Sequence, residues 1–317
     1  MPVVPVLFAI LLLEFMALTS ELAFAIPDAL AADVAAAMRH AGGRVTFAAA
    51  VALHTGVCLG AMIYFWLILR RIAPLDWGRI VMAMAAMALC VFGLMILLSQ
   101  VSPRLVVFQM TYFTISALLE ASPLASDLIA STLPGGVQPL SVAALYPTVL
   151  GIFSVLLAAG VTCAVLRRIG PPHAEGWAAS FRANVRIILR SFYVLSLVLV
   201  SSSLTALLFV QLPAGLVPTT MAPPGFAAAL ASYTGSLATF WGGVYTLTLV
   251  SVFIGPMAVL YTRAWRHVSD HTDGHDLTAW LTDHGLNTSF PENIKNMIFL
   301  LAPLFVGPIG DLTKALG

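Results

Sequence analysis

Two carboxylates and one imidazole fall where a hydrocarbon interior would have to accept them. Glu14 and Glu21 lie in the apolar run Val3 to Ile26, and His54 is the one histidine in any of the long apolar runs. An ionisable group at membrane depth is costly and marks either a function or a buried partner. Taking outer boundaries near Ile26 and Arg44, a rise of about 1.5 Å per residue puts Glu14 about 18 Å deep and His54 about 15 Å deep. Nearly equal depth on sequential antiparallel helices makes contact between them plausible. Such a pair can carry or gate protons, or as a neutral hydrogen-bonded pair it can fix helix register. Glu21, seven residues after Glu14, shares its helix face with Ala17 and Ala25. It stands nearer the outer interface, as the mouth of a polar path or as a hydrated structural group. Hydroxyls at Ser201, Ser202, Ser203 and Thr205, and at Thr246, Thr248 and Ser251 with Tyr245, are available to the same path, and they serve equally well as helix-to-helix glue.

Two other groupings have chemical spacing. Arg182, Arg186 and Arg190 recur at i, i+4 and i+8, which places three guanidiniums along one helix face. That face suits an anionic headgroup, a phosphate-bearing ligand or an acidic partner protein on the cytoplasmic side, or simple anchoring at the membrane surface. His267, His271 and His275 have the same spacing, which on a helix would align imidazoles for a divalent metal. Gly274 and the neighbouring Asp270, Asp273 and Asp276 instead favour a solvated linker through His275, so no resident cofactor is expected beyond that one metal alternative. The three cysteines, Cys58, Cys90 and Cys163, sit in apolar runs without CxxC spacing and read as packing residues. No HExxH, GxSxG, Gly-Lys-Ser/Thr loop or GxGxxG is present, and these absences weigh against an enzyme.

The elements that position these groups are set by hydrophobicity. Of 317 residues, 60% are hydrophobic and 9% charged, where soluble domains carry about 25% charged residues. The solvent for most of the chain is therefore a lipid bilayer, and a net charge of +1 gives no basic field for nucleic acid. Crossing a bilayer takes about 20 apolar residues. Six runs meet that length: 3–26, 45–69, 79–100, 143–166, 187–211 and 236–262. The first resembles a cleavable leader at Ala23-Phe24-Ala25, but no basic stretch precedes it and Glu14 interrupts it, so it reads as a retained span.

Arg70, Arg71 and Arg79, then Arg167, Arg168, Arg182, Arg186 and Arg190, then Arg263, Arg266 and Lys295 all fall on one side if the N-terminus is cytoplasmic. That bias keeps Leu105 to Leu119 from crossing, so it becomes an external interfacial or re-entrant helix. Asn296 to Gly310, broken by Pro303, Gly307 and Pro308, is a broken C-terminal helix: a seventh span, a re-entrant hairpin or an interfacial foot. Pro27 to Gly43 reads as an external connector with a short helix ended by Gly42-Gly43, and Leu212 to Tyr233 as a proline-rich loop lying on the membrane. Leu69-Arg70-Arg71-Ile72-Ala73-Pro74 and Leu166-Arg167-Arg168-Ile169-Gly170-Pro171 allow a repeat of parallel hairpins, or merely the residues that any cytoplasmic boundary recruits.

The sequence thus predicts an all-α polytopic integral membrane protein with six transmembrane helices. It forms a single transmembrane domain over 1–317, without a separate soluble domain. A bacterial inner membrane fits its Ala richness and its preference for Arg over Lys. The expected function is transport or conduction of a small solute or ion, proton-linked through Glu14 and His54. The alternative is a non-catalytic anchor or sensor subunit that docks a partner protein through its cytoplasmic loops.

Overall fold

The computed structural model describes residues 34–72, 139–168, 176–216, 224–271 and 280–282, with the isolated positions 78, 82, 301 and 302. Four long helices account for almost all of these: α1 Val34–Ile72, α2 Pro139–Arg168, α3 Trp177–Leu216 and α4 Phe226–His271. Their apolar portions, Val45–Ile72, Tyr146–Arg168, Trp177–Leu212 and Phe226–Ser269, are each long and apolar enough to cross a membrane. The chain is by this measure a helical membrane protein, because a helix satisfies every backbone group internally where no water can do so. The expected runs 45–69, 143–166, 187–211 and 236–262 lie within these four helices. The runs 3–26, 79–100, 105–119 and 296–310 fall outside the described residues, apart from the isolated positions.

Side-chain contacts fix the helix directions. His54 meets Ser201, Thr205 reaches the Ala50 carbonyl, and Phe47 packs on Phe209, so α1 and α3 are antiparallel. His54 meets Pro147 and Cys58 meets Ser154, so α1 and α2 run together. Phe192 packs on Phe253 and Trp177 on His267, so α4 runs against α3 and therefore with the other two. Helix α3, returning against the other three, is the centre of the bundle. Of its most apolar stretch 61% is buried, compared with 17% for α4, whose Leu247, Ile254 and Trp265 face outward. The core between them is built from Phe65, Leu69, Val161, Val165, Ile188, Leu195, Val198, Leu249 and Leu260.

Several boundaries differ from those read from the sequence. Helix α1 does not stop at Gly42-Gly43 but continues through both. A glycine inside a helix costs only about 1 kcal/mol, and a helix once formed gains a hydrogen bond for each residue added. The Gly42 carbonyl also accepts a bond from the Thr46 hydroxyl at 2.8 Å. The loop expected at 212–233 is shorter, since α3 carries Pro213 in its last turn and α4 begins at Phe226. The true starts of α3 and α4 follow glycines in the left-handed region, Gly176 (φ 72°) and Gly225 (φ 81°), a conformation that a Cβ would strain. Both glycine carbonyls take up helical N–H groups, those of Ser180 and Ala229. Helix α4 passes through Gly255-Pro256 without ending.

Candidate functional site

The polar centre of the bundle is His54. Its side chain is fully buried, at 0% exposure, where α1, α2 and α3 meet. Nε2 lies 3.0 Å from the Pro147 carbonyl, and since a carbonyl only accepts, Nε2 carries a proton and donates. Nδ1 lies 2.9 Å from Ser201 Oγ. Pro147, inside α2, has no N–H, which leaves the Ala143 carbonyl one turn earlier without its helical bond; the carbonyl that meets His54 is Pro147's own, which has a second lone pair to offer. Ser201 is the first of three serines, each of which can return its hydroxyl to its own helix: Ser201 and Ser202 both reach the Val198 carbonyl, at 2.8 and 3.0 Å, and Ser203 reaches that of Leu199.

The Ser201 hydroxyl has a single proton and two acceptors in reach, His54 Nδ1 and the Val198 carbonyl. With a neutral ring it donates to Nδ1, and Val198 keeps its bond from Ser202. With a doubly protonated ring, Nδ1 donates to Ser201 Oγ, which turns its own proton to Val198. Every ring nitrogen has a partner in both states, so one proton can be gained or lost with only the rotation of a hydroxyl. Around this node, the Cys58 thiol lies 3.4 Å from Nε2, and Thr55 donates to the Val51 carbonyl at 2.7 Å with the Tyr146 hydroxyl 3.4 Å away. Thr205 shares its proton between the Ser201 and Ala50 carbonyls, at 2.9 and 3.4 Å. Thr246 and Ser251 belong to α4 and have no bond to this cluster; Thr248 and Ser251 return theirs to their own helix.

The other sequence-derived residues are placed as follows. Glu14 and Glu21 lie outside the described residues, so their relation to His54 is not among the contacts. Arg182, Arg186 and Arg190 lie on α3 near its start, with Arg186 and Arg190 exposed and Arg182 half-buried. His267 is near the end of α4, its ring 4.4 Å from that of Trp177 and 5.7 Å from that of Trp280, in an aromatic cluster with Phe181. His271 is the last residue of α4, and His275 lies outside the described residues. Among the described residues no three His, Cys, Asp or Glu side chains converge on a metal position. Of the cysteines, Cys58 is buried beside His54 and Cys163 is exposed, both as free thiols.

Sequence reasoning missed Ser201 and Pro147 as the partners of His54, and the aromatic box around Trp177. The signal for the first was a histidine in one apolar run, which needs polar neighbours, and hydroxyls in another that can supply one. The chain matches no known family profile, no curated protein and no solved structure.

Proposed function

We propose that this protein moves a small solute or ion across its membrane in a proton-linked way, with His54 as the group that takes up and releases the proton. The observation that carries this reading is the two-way hydrogen bonding of a fully buried imidazole, which meets Ser201 at 2.9 Å and Pro147 at 3.0 Å. A histidine placed only to pin helices needs one fixed hydrogen-bond pattern, whereas this one sits beside a hydroxyl that can reverse. In this proposal Glu14 and Glu21 extend the proton path toward the outer surface, the N-terminus is cytoplasmic, and the membrane is the inner membrane of a bacterium.

The test is proton movement in proteoliposomes with an imposed pH gradient, followed by a pH dye sealed in the lumen. The wild-type chain should collapse the gradient faster than protein-free vesicles. His54→Gln keeps a donor and an acceptor but cannot titrate in this range, and it should return the rate to the protein-free level while retaining the helical signal and monodispersity of the wild type. Equal rates for wild type and His54→Gln would overturn the proposal.

A further inference from the structure

The pole of the bundle at which α1, α2 and α4 end and α3 begins carries Arg70, Arg71, Arg167, Arg168, Arg182, Arg186, Arg190, Arg263 and Arg266. Among the described residues there is one carboxylate, Asp270, to set against these nine. For Arg70, Arg71, Arg167 and Arg168 the helix ends themselves supply a counter-charge, since a helix C-terminus bears about half a negative charge, and Arg263 donates to the Leu166 carbonyl. For α3 the sign is reversed. Its N-terminus bears the positive end, its first turn contains no acidic residue, and Arg182, Arg186 and Arg190 add three further positive charges. Nothing among the described residues neutralises this strip, and Arg182 Nε is buried without a hydrogen-bond partner.

The register of α1 against α3 gives the depth of the strip. His54 is opposite Ser201, Ala50 opposite Thr205, and Tyr64 close enough to Arg190 to feel its charge, so one step along α1 matches one step back along α3. Arg70 is six residues beyond Tyr64, which puts Arg190 about 9 Å, and Arg186 about 3 Å, on the apolar side of the level marked by Arg70. Arg182 lies about 3 Å beyond that level on the polar side. The strip therefore straddles the boundary between headgroups and hydrocarbon, and its two deeper guanidiniums are exposed on the outside of the bundle. At that depth the anion within reach of an outward-facing arginine is a lipid phosphate. A water-soluble partner would have to enter the bilayer to meet Arg190.

We infer that Arg182, Arg186 and Arg190 form a binding strip for the headgroup of an anionic phospholipid, with its phosphate between Arg186 and Arg190. Guanidinium presents paired N–H donors that match phosphate oxygens in a way a lysine cannot. An arginine near an anionic membrane surface contributes about 1 kcal/mol, so loss of two should lower the preference for anionic over zwitterionic lipid by roughly 30-fold.

The experiment is lipid retention by the full chain, purified in a neutral detergent and offered equal amounts of phosphatidylglycerol and phosphatidylcholine, with bound lipid counted by native mass spectrometry. Wild type should retain phosphatidylglycerol, Arg186→Gln/Arg190→Gln should lose the preference, and Arg70→Gln/Arg71→Gln should keep it. Arg186→Lys/Arg190→Lys, which retains the charge, should show an intermediate preference and serves if the Gln pair does not fold. Equal retention of the two lipids by wild type, or an unchanged preference in the Gln pair, would overturn the inference. So would displacement of the lipid by millimolar inorganic phosphate, or a stoichiometric protein partner lost with the same two substitutions, since each assigns the strip to a soluble ligand.

Discussion

The bond between His54 and Ser201 can be isolated by a double-mutant cycle. Replacing His54 by Ala removes two interhelical hydrogen bonds, at 2.9 and 3.0 Å. Each is worth about 0.6 kcal/mol on average in a membrane protein and up to about 1.7. Because the ring is fully buried, the space it leaves adds a cavity term, bringing the total to about 3 kcal/mol. Ser201→Ala should cost less, about 1 to 2 kcal/mol. The Val198 carbonyl keeps its bond from Ser202, and the loss falls mainly on Nδ1, which is left with only the long contact to the Cys58 thiol at 3.7 Å. If the two side chains are bonded, the double variant should be more stable than the sum of the single changes predicts by about 1 kcal/mol. The assay is equilibrium unfolding in mixed micelles, followed by helical circular dichroism. The pair His54→Ala and Trp177→Phe serves as the control. Trp177 lies 24 residues from Ser201 along α3, about 36 Å away, and the two changes should add. A coupling for the His54 and Ser201 pair no larger than that of the control would refute the assigned contact, and with it the two-state node.

Packing sets the expected outcome of substitutions at three further positions. Trp177 is buried, with its ring 4.8 Å from Phe181 and 4.4 Å from His267, so Trp177→Ala should lower stability by about 3 to 5 kcal/mol in the same assay, whereas Leu247→Ala on the outward face of α4 should cost under about 0.5 kcal/mol. A Cβ at Gly151 would meet Ser202 Oγ at 3.4 Å, an ordinary contact. Gly151→Ala should therefore be neutral or slightly stabilising through helix propensity, and Gly151→Leu should cost about 1 to 3 kcal/mol by forcing α2 from α3.

The helices were legible because lipid imposes a single simple requirement, a run of apolar side chains about 20 residues long. Their ends were less so. Gly42-Gly43 and Pro213 lie just outside the apolar stretches Val45–Ile72 and Trp177–Leu212, where propensity alone acts: α1 runs through its glycines at about 1 kcal/mol each, while α3 ends within a turn of its proline. Gly176 and Gly225, which do mark helix starts, follow Pro171-Pro172 and Pro223-Pro224 and hold positive φ, whereas Gly42-Gly43 follow an Ala-rich run without proline.

For His54 the sequence supplied the residue and its need for a partner, but partner choice is a matter of register between helices, and depth counting gives register only when both helices enter the bilayer at known heights. Helix α3 begins beyond the boundary, with Arg182 on the polar side of the Arg70 level, so counting from its first residue misplaces Ser201 by about two turns. Counting from a bonded pair, Ala50 with Thr205, puts residue 201 opposite His54, where Ser201 is found. The same ruler that locates the buried imidazole thus sets the depth of the arginine strip. The two proposals rest on one register, and a shift of α3 by a single turn would separate His54 from Ser201 as surely as it would move Arg190 away from the headgroup level.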